Sequence, residues 1–214
     1  MKKRDAILII LLIVVVDQIV KIYVKTHFEY DEDRRMISHW FRLHFIENDG
    51  MAWGWTLDFR WGKIVLTIFR LIAVIWGVFY INKLFRHRRT AGFIVCVAMI
   101  YAGALGNLID SLFYGVLFDK GALFNDIQGS FTRYEGLSHF SAHGYAPLLH
   151  GNVVDMLYFP LFQGHFPSWM PFWGGQHFEF FSMVFNIADA SISIGVIALL
   201  LFHKKLLRNP APAS

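Results

Sequence analysis

Residues 90–110 read TAGFIVCVAMIYAGALGNLID, an apolar run without lysine or arginine that ends on a carboxylate. A transmembrane helix needs about 20 consecutive, predominantly apolar residues, so this stretch predicts a helix that crosses a bilayer. Its amide and acid side chains, Asn107 and Asp110, fall together at the carboxyl-terminal end. The run therefore predicts a membrane fold and places polar groups at one depth within it.

Three further runs have this length and character, and the overall composition agrees with them. Of the 214 residues, 56% are hydrophobic and 17% are charged, whereas soluble domains carry roughly 25% charged residues. We predict an all-α integral membrane protein, folded as one multi-pass domain, with a small outward-facing β-rich subdomain and an irregular outer loop. The predicted parts are spans at 6–25, 63–83, 90–110 and 181–203, outer loops at 26–62 and 111–180, and a disordered tail at 209–214.

The basic residues predict the orientation of these spans. Lysine and arginine cluster at the N-terminus, between the second and third spans, and near the C-terminus. Cytoplasmic loops are rich in these residues, and four spans bring all three clusters to the same side. Both termini are therefore predicted to be cytoplasmic. Because the charges flank apolar runs, the formal charge of +4 does not indicate a nucleic-acid-binding surface.

The first outer loop contains a candidate strand. Residues 40–46 read WFRLHFI, in which apolar side chains alternate with polar ones, and this period of two favours a half-buried strand. The glycines of the stretch Gly50–Gly54 then predict a turn.

Polar residues from three spans converge on one depth. With the predicted orientation, and at 1.5 Å per helical residue, all of them lie within roughly the outer 10–15 Å of the membrane. They are Asp17, Gln18 and Lys21 in the first span, Asn107 and Asp110 in the third, and Asn186 and Asp189 in the fourth.

Asp189 is the most informative of these residues. A carboxylate near the bilayer centre costs roughly 2.5 to 3.5 kcal/mol, and the residues one helical turn away from Asp189 are uncharged. Asp155 precedes the same span on its outer side, and two carboxylates brought together can share a proton and activate water. Asp17 and Lys21, four residues apart, fit an ion pair within their helix as well as a role in chemistry.

The other polar residues have simpler interpretations. Asn107 and Asn186 fit hydrogen bonds between helices as well as substrate contacts. Asp110 fits a cap at the water-exposed end of its helix, and Arg70 fits either a snorkelling side chain or a pairing partner for one of the acids.

Five short motifs occur in an order that matches a known family. They are DQIVK (17–21), ENDGMAWG (47–54), GALGNLID (103–110), VVD (153–155) and FNIAD (185–189). Together, on a four-helix topology, they resemble the motifs of lipoprotein signal peptidase, the type II signal peptidase of bacteria.

The resemblance implies an aspartyl endopeptidase of the bacterial cytoplasmic (inner) membrane, with its active site toward the outer face. Such an enzyme removes the signal peptide from diacylglyceryl-modified prolipoproteins, cutting before the lipidated cysteine, and activates water between two aspartates. It implies no cofactor and no metal. The expected partners are the prolipoprotein substrate and membrane lipids, without nucleic acid, and the chain is expected to act as a monomer. The implied roles are catalysis for Asp155 and Asp189, substrate binding or positioning for Asn48, Gly50, Asn107, Asp110 and Asn186, and structural support for Asp17 and Lys21.

The chain departs from the family pattern in two places. Ser111 follows Asp110 where the family usually has arginine, so that charge is missing or comes from elsewhere. About 40 residues (112–151) also separate Asp110 from the VVD motif, and an ungapped alignment selects Asp119 instead of Asp155. We favour Asp155 because apolar residues flank it on both sides, whereas Asp119 leads into Lys120.

Two other classes of function compete with the peptidase. A small proton-coupled membrane transporter would use Asp17, Asp110 and Asp189 as an ion relay, and it predicts acids spread across the depth of the membrane. A structural membrane scaffold leaves the costly Asp189 without a purpose.

Overall fold

Four long helices dominate the structure. This computed structural model describes residues 1–38, 40–48, 62–125 and 130–206. The helices are α1 (Lys3–His27), α2 (Gly62–Arg86), α3 (Ala91–Leu117) and α4 (Ile187–Leu206). All four are long and apolar enough to cross a membrane, which confirms the predicted fold class.

The central helix is α3, which packs against each of the other three. Its small residues permit close contact: a Cβ atom at Gly103 would lie only 2.2 Å from the carbonyl oxygen of Ala188 in α4. The helices around it, α1, α2 and α4, instead expose large apolar side chains such as Leu12, Phe69 and Leu200, as expected for surfaces that contact lipid.

Two helix bounds differ from the prediction. The third helix continues past Asp110 to Leu117, and the fourth begins at Ile187, so the predicted start at residue 181 is wrong. Val184 and Phe185 form a short strand, and the backbone NH of Asp189 is bonded to the side chain of Asn186 at 2.8 Å. Hydropathy alone does not separate an apolar strand from the apolar helix that follows it.

The described residues between the helices form three small antiparallel sheets. Strands β1, β2, β5 and β8 make a four-stranded sheet in the order β1-β2-β5-β8, while β3 pairs with β4 and β6 with β7. The loop predicted to be irregular thus contains β3 to β7. The strands are β1 (Asp33–Ile37), β2 (Phe41–Asn48), β3 (Leu123–Asn125), β4 (Ser130–Thr132), β5 (Val153–Tyr158), β6 (Phe162–His165), β7 (His177–Phe180) and β8 (Val184–Phe185).

An apolar core joins the four-stranded sheet to the helices beneath it. Phe45 of β2 and Met156 of β5 pack there with Val24 of α1 and Tyr114 of α3. Because the core includes both strands, it fixes β5 over the C-terminal ends of α1 and α3. The predicted turn at Gly50–Gly54 and the tail at 209–214 lie outside the described residues.

Candidate active site

Asp155 lies in the middle of β5, where both of its carboxylate oxygens accept hydrogen bonds. The side-chain amide of Asn186 donates to Oδ1 at 2.6 Å, and that of Asn48 donates to Oδ2 at 3.3 Å. Asn48 is the last residue of the neighbouring strand β2. Asp155 is only 2% exposed, so its position is fixed by the sheet on one side and by the start of α4 on the other.

Asp189 lies in the first turn of α4. Asn186 Oδ1 accepts the backbone NH of Asp189 at 2.8 Å, and Asp189 Oδ2 accepts the backbone NH of Asn186 at 3.5 Å. This reciprocal arrangement is a capping box, which a local pattern of sequence specifies. Asn107 of α3 also donates its amide to Asp189 Oδ1 at 2.7 Å. The partial positive charge at a helix N-terminus favours a carboxylate there.

Asn186 connects the two aspartates. Its amide nitrogen donates to Asp155 and to Asn107 Oδ1, the latter at 3.2 Å, while its amide oxygen receives the Asp189 backbone. Burial raises the pKa of Asp155 to about 7, and the nearby charge of Asp189 contributes in the same direction. Two carboxylates brought close together can share one proton.

A buried lysine, Lys21, contacts residues that position Asp155 and Asp189. Lys21 Nζ lies 3.0 Å from Asp17 Oδ2, 2.8 Å from Asp110 Oδ2 and 2.8 Å from Asn107 Oδ1. The ion pair between Asp17 and Lys21 therefore forms, but it extends to α3. Asp110 is fully buried within α3, so its interpretation as a water-exposed cap is wrong.

Asp17 and Asp110 each hold the backbone immediately before one aspartate of the pair. Asp17 Oδ1 accepts the NH of Ala188 at 2.9 Å, next to Asp189. Asp110 Oδ2 accepts the NH of Val154 at 3.3 Å, next to Asp155. Asp17 and Asp110 thus position the carboxylates of Asp189 and Asp155 through the main chain. The ammonium group of Lys21 neutralises part of the charge of Asp17 and Asp110.

Two further residues lie close to this cluster. The sequence indicated no separate role for Gln18 and, for Arg70, pairing with one of the acids or snorkelling. Gln18 donates its amide to Asp110 Oδ1 at 2.8 Å and accepts the hydroxyl of Tyr114 at 3.1 Å. The sequence feature that could have indicated this role is the position of Gln18 next to Asp17 in the motif DQIVK. Arg70 of α2 donates to Ser111 Oγ at 2.8 Å, and that hydroxyl donates to the Asn107 carbonyl at 2.9 Å. A guanidinium from a different helix therefore lies beside the serine that replaces the family's usual arginine.

Asp119 lies two residues beyond the end of α3, apart from this cluster. Its Oδ1 accepts the backbone NH of His139 at 2.7 Å and the hydroxyl of Ser138 at 3.2 Å. Burial by itself raises the pKa of Asp119, but these bonds hold it below its usual range. The structure brings Asp155, not Asp119, into contact with the residues around Asp189.

The long segment 112–151 is attached through a second buried ion pair, between Lys25 and Glu47. Glu47 also accepts hydrogen bonds from the Tyr134 hydroxyl at 2.9 Å, the Ala122 NH at 2.9 Å and the Asn152 amide at 2.8 Å. Burial by itself raises the pKa of Glu47, but Lys25 and these hydrogen bonds keep it below its usual range. Glu47 precedes Asn48, so the cluster fixes the strand that contacts Asp155.

Gly50, predicted as a positioning residue, lies outside the described residues. In the described parts of the chain, no three His, Cys, Asp or Glu side chains are grouped as ligands for a metal ion. That no metal takes part stays a prediction.

Comparison with known proteins gives consistent matches along the chain. A family model described as signal peptidase (SPase) II matches residues 9–204. The lipoprotein signal peptidase of Porphyromonas gingivalis is 44% identical over 198 residues, which cover 92% of this chain and 81% of that protein. The protein of the same name from Amoebophilus asiaticus is 31% identical over 207 residues, covering 94% and 78%.

The fold also has a solved counterpart. A bacterial membrane enzyme superposes with a TM-score of 0.58 over 99% of this chain and 95% of its own, at 22% identity. At this level of identity the likeness concerns the fold alone.

Proposed function

Because this chain belongs to the signal peptidase II family, and is therefore a peptidase that removes lipoprotein signal peptides, we propose that it works as an aspartyl endopeptidase. The proposed catalytic residues are Asp155 and Asp189. The observation that supports them most strongly is the placement of both carboxylates on the amide groups of Asn186 and Asn107. Two acids held in this way, one buried and one partly exposed, are suited to acid and base roles in the same reaction.

The two aspartates have different surroundings, which suggests their separate roles. Asp155 is the more buried, and its raised pKa favours the protonated acid. Asp189 lies at a helix N-terminus and receives the Asn107 amide, both of which favour the carboxylate. Asp189 therefore takes a proton from water, and the resulting hydroxide attacks the carbonyl carbon of the scissile peptide bond. Asp155 donates its proton to the carbonyl oxygen.

The second half of the reaction returns the protons. As the tetrahedral intermediate collapses, the proton held by Asp189 passes to the departing amide nitrogen and the carbon–nitrogen bond breaks. Asp155 recovers a proton from the intermediate, which becomes the new carboxyl group. The pair ends with one proton, as it began.

The proposed substrate is a prolipoprotein cut just before its diacylglyceryl-modified cysteine. The pair lies at the outer ends of α1 and α3 and at the start of α4, beneath the outer sheet. With both termini in the cytoplasm, as the basic clusters predict, this site faces the outer side of the inner membrane. Acyl chains of the substrate then remain in lipid while the peptide bond reaches the aspartates.

The transporter interpretation receives less support from the geometry. An ion relay would need acids in sequence along a path. Asp17 and Asp110 instead bond to the same ammonium group of Lys21, which suits a fixed support better than a series of proton carriers.

The lipid requirement tests this proposal. Purified protein in detergent micelles is given one prolipoprotein in two forms, with the diacylglyceryl group on its cysteine or with the free thiol. We expect the lipidated form to be cleaved before the cysteine, as read by mass spectrometry, and the free form to remain intact. Equal cleavage of both forms, or cleavage elsewhere, would contradict the proposed specificity.

A further inference from the structure

Between the strand that carries Asp155 and the helix that carries Asp189, the chain forms a β-hairpin. It consists of β6, β7 and the turn 166–176 that joins them. We call residues 161–183 the aromatic arm. This segment contains no lysine or arginine and one carboxylate, at Glu179, among many aromatic residues. Its composition is unusual for a segment that meets only water.

The strands of the aromatic arm have one apolar face. Side chains on a strand alternate between its two faces, and residues paired across an antiparallel ladder share a face. Phe162 pairs with Phe180, and both are largely exposed. The opposite face carries His165 and His177, whose rings lie 5.2 Å apart. The hairpin is therefore amphipathic.

The turn of the arm presents further aromatic side chains outward. Trp169 is 80% exposed and Phe172 is 90% exposed. The turn is nonetheless well bonded, since the Gly175 NH donates to the Phe166 carbonyl at 2.9 Å. Phe172 also has a φ of +73°, an unfavourable backbone conformation for a bulky residue. The exposed rings are thus presented by a defined turn rather than by a loose loop.

The apolar surface of the arm continues into the membrane-spanning part of the protein. Phe181 and Met183, at the end of the arm nearest to α4 in the chain, are 44% and 46% exposed, and Ile194 and Ile197 of α4 are exposed as well. At the base of the arm, Phe159 stacks on Phe185 with ring centroids 5.8 Å apart. The arm is therefore tied both to the sheet and to a lipid-facing helix.

We propose that the aromatic arm lies in the outer interface of the bilayer, with its phenylalanine face and turn in the lipid and its histidine face toward water. Tryptophan and phenylalanine on an amphipathic element favour this region of a membrane. The lack of basic residues fits zwitterionic phospholipid headgroups, which carry no net charge, rather than anionic ones. Such a contact would hold the sheet that carries Asp155 at a fixed depth. It is independent of the proposed peptidase chemistry.

Depth-dependent quenching tests this contact on the full-length protein in phosphatidylcholine nanodiscs. In a Cys96→Ala background, Phe172→Cys and His177→Cys are each labelled with a bimane fluorophore. We expect doxyl-labelled lipid to quench the label at 172 more than that at 177, and aqueous iodide to show the reverse order. His177→Cys is the matched control, because it lies on the other face of the same arm.

Two results would overturn the proposal. One is quenching of the label at 172 by iodide to the same extent as at 177, without quenching by lipid. The other is protection of residue 172 that arises only when diacylglyceryl prolipoprotein is added, which would assign the face to the substrate. If Phe172→Cys does not fold, as judged by gel filtration, Trp169→Cys on the same turn replaces it.

Discussion

Replacing Asp189 with asparagine is expected to lower the rate of cleavage of a diacylglyceryl prolipoprotein by about 10²- to 10⁴-fold, the usual contribution of general acid–base catalysis. Asparagine has nearly the same shape as aspartate and retains an oxygen that can accept the Asn107 amide, so the start of α4 should be preserved. It cannot take a proton from water at neutral pH. The loss therefore reports on chemistry rather than on folding.

The measurement is the initial rate of signal-peptide release at saturating substrate, compared with the wild type. Asp5→Asn is a matched control, because Asp5 occupies the corresponding capping-box position of α1, where its Oδ2 accepts the Lys2 NH at 2.9 Å. That variant should keep the wild-type rate. A fully active Asp189→Asn variant would end the aspartyl mechanism proposed here.

Replacing Lys21 with methionine should have the largest effect on stability. Lys21 bonds to two buried acids from different helices, and its removal leaves Asp17 and Asp110 without their neutralising charge. Removing one partner of a buried ion pair costs about 3–5 kcal/mol. The same acids hold the main chain before Asp155 and Asp189, so activity should be lost together with stability.

Thermal unfolding in detergent measures this effect. Lys3→Met, at an exposed position of the same helix, should leave the midpoint close to that of the wild type. Adding Asp110→Asn to Lys21→Met should recover part of the lost stability, because it removes one of the two uncompensated charges. An unchanged midpoint for Lys21→Met alone would contradict the assigned role of the buried lysine.

Hydropathy predicted the membrane fold because apolar runs long enough to cross a bilayer are typical of transmembrane helices. It could not separate Val184 and Phe185 from α4, since an apolar strand and an apolar helix have the same composition over a few residues. The structure of 112–151 was not predicted either. That segment is held by Glu47, whose partners Tyr134, Ala122 and Asn152 are distant in sequence.

The site shows the same division between local and long-range information. The spacing of Asp17 and Lys21 predicted their ion pair, because residues four apart meet on a helix. The third member, Asp110, joins them only through the packing of α1 on α3, which no local pattern specifies. Likewise, the bond from Arg70 to Ser111 depends on the packing of α2 against α3, and the sequence showed only a lone arginine within a span.

The pairing of Asp155 with Asp189 is the central claim, and one comparison tests it most directly. Asp155→Asn and Asp119→Asn are assayed side by side for cleavage of the same diacylglyceryl prolipoprotein. Loss of cleavage in Asp155→Asn with a near wild-type rate in Asp119→Asn is the predicted result. Cleavage retained in Asp155→Asn and lost in Asp119→Asn would contradict the pairing.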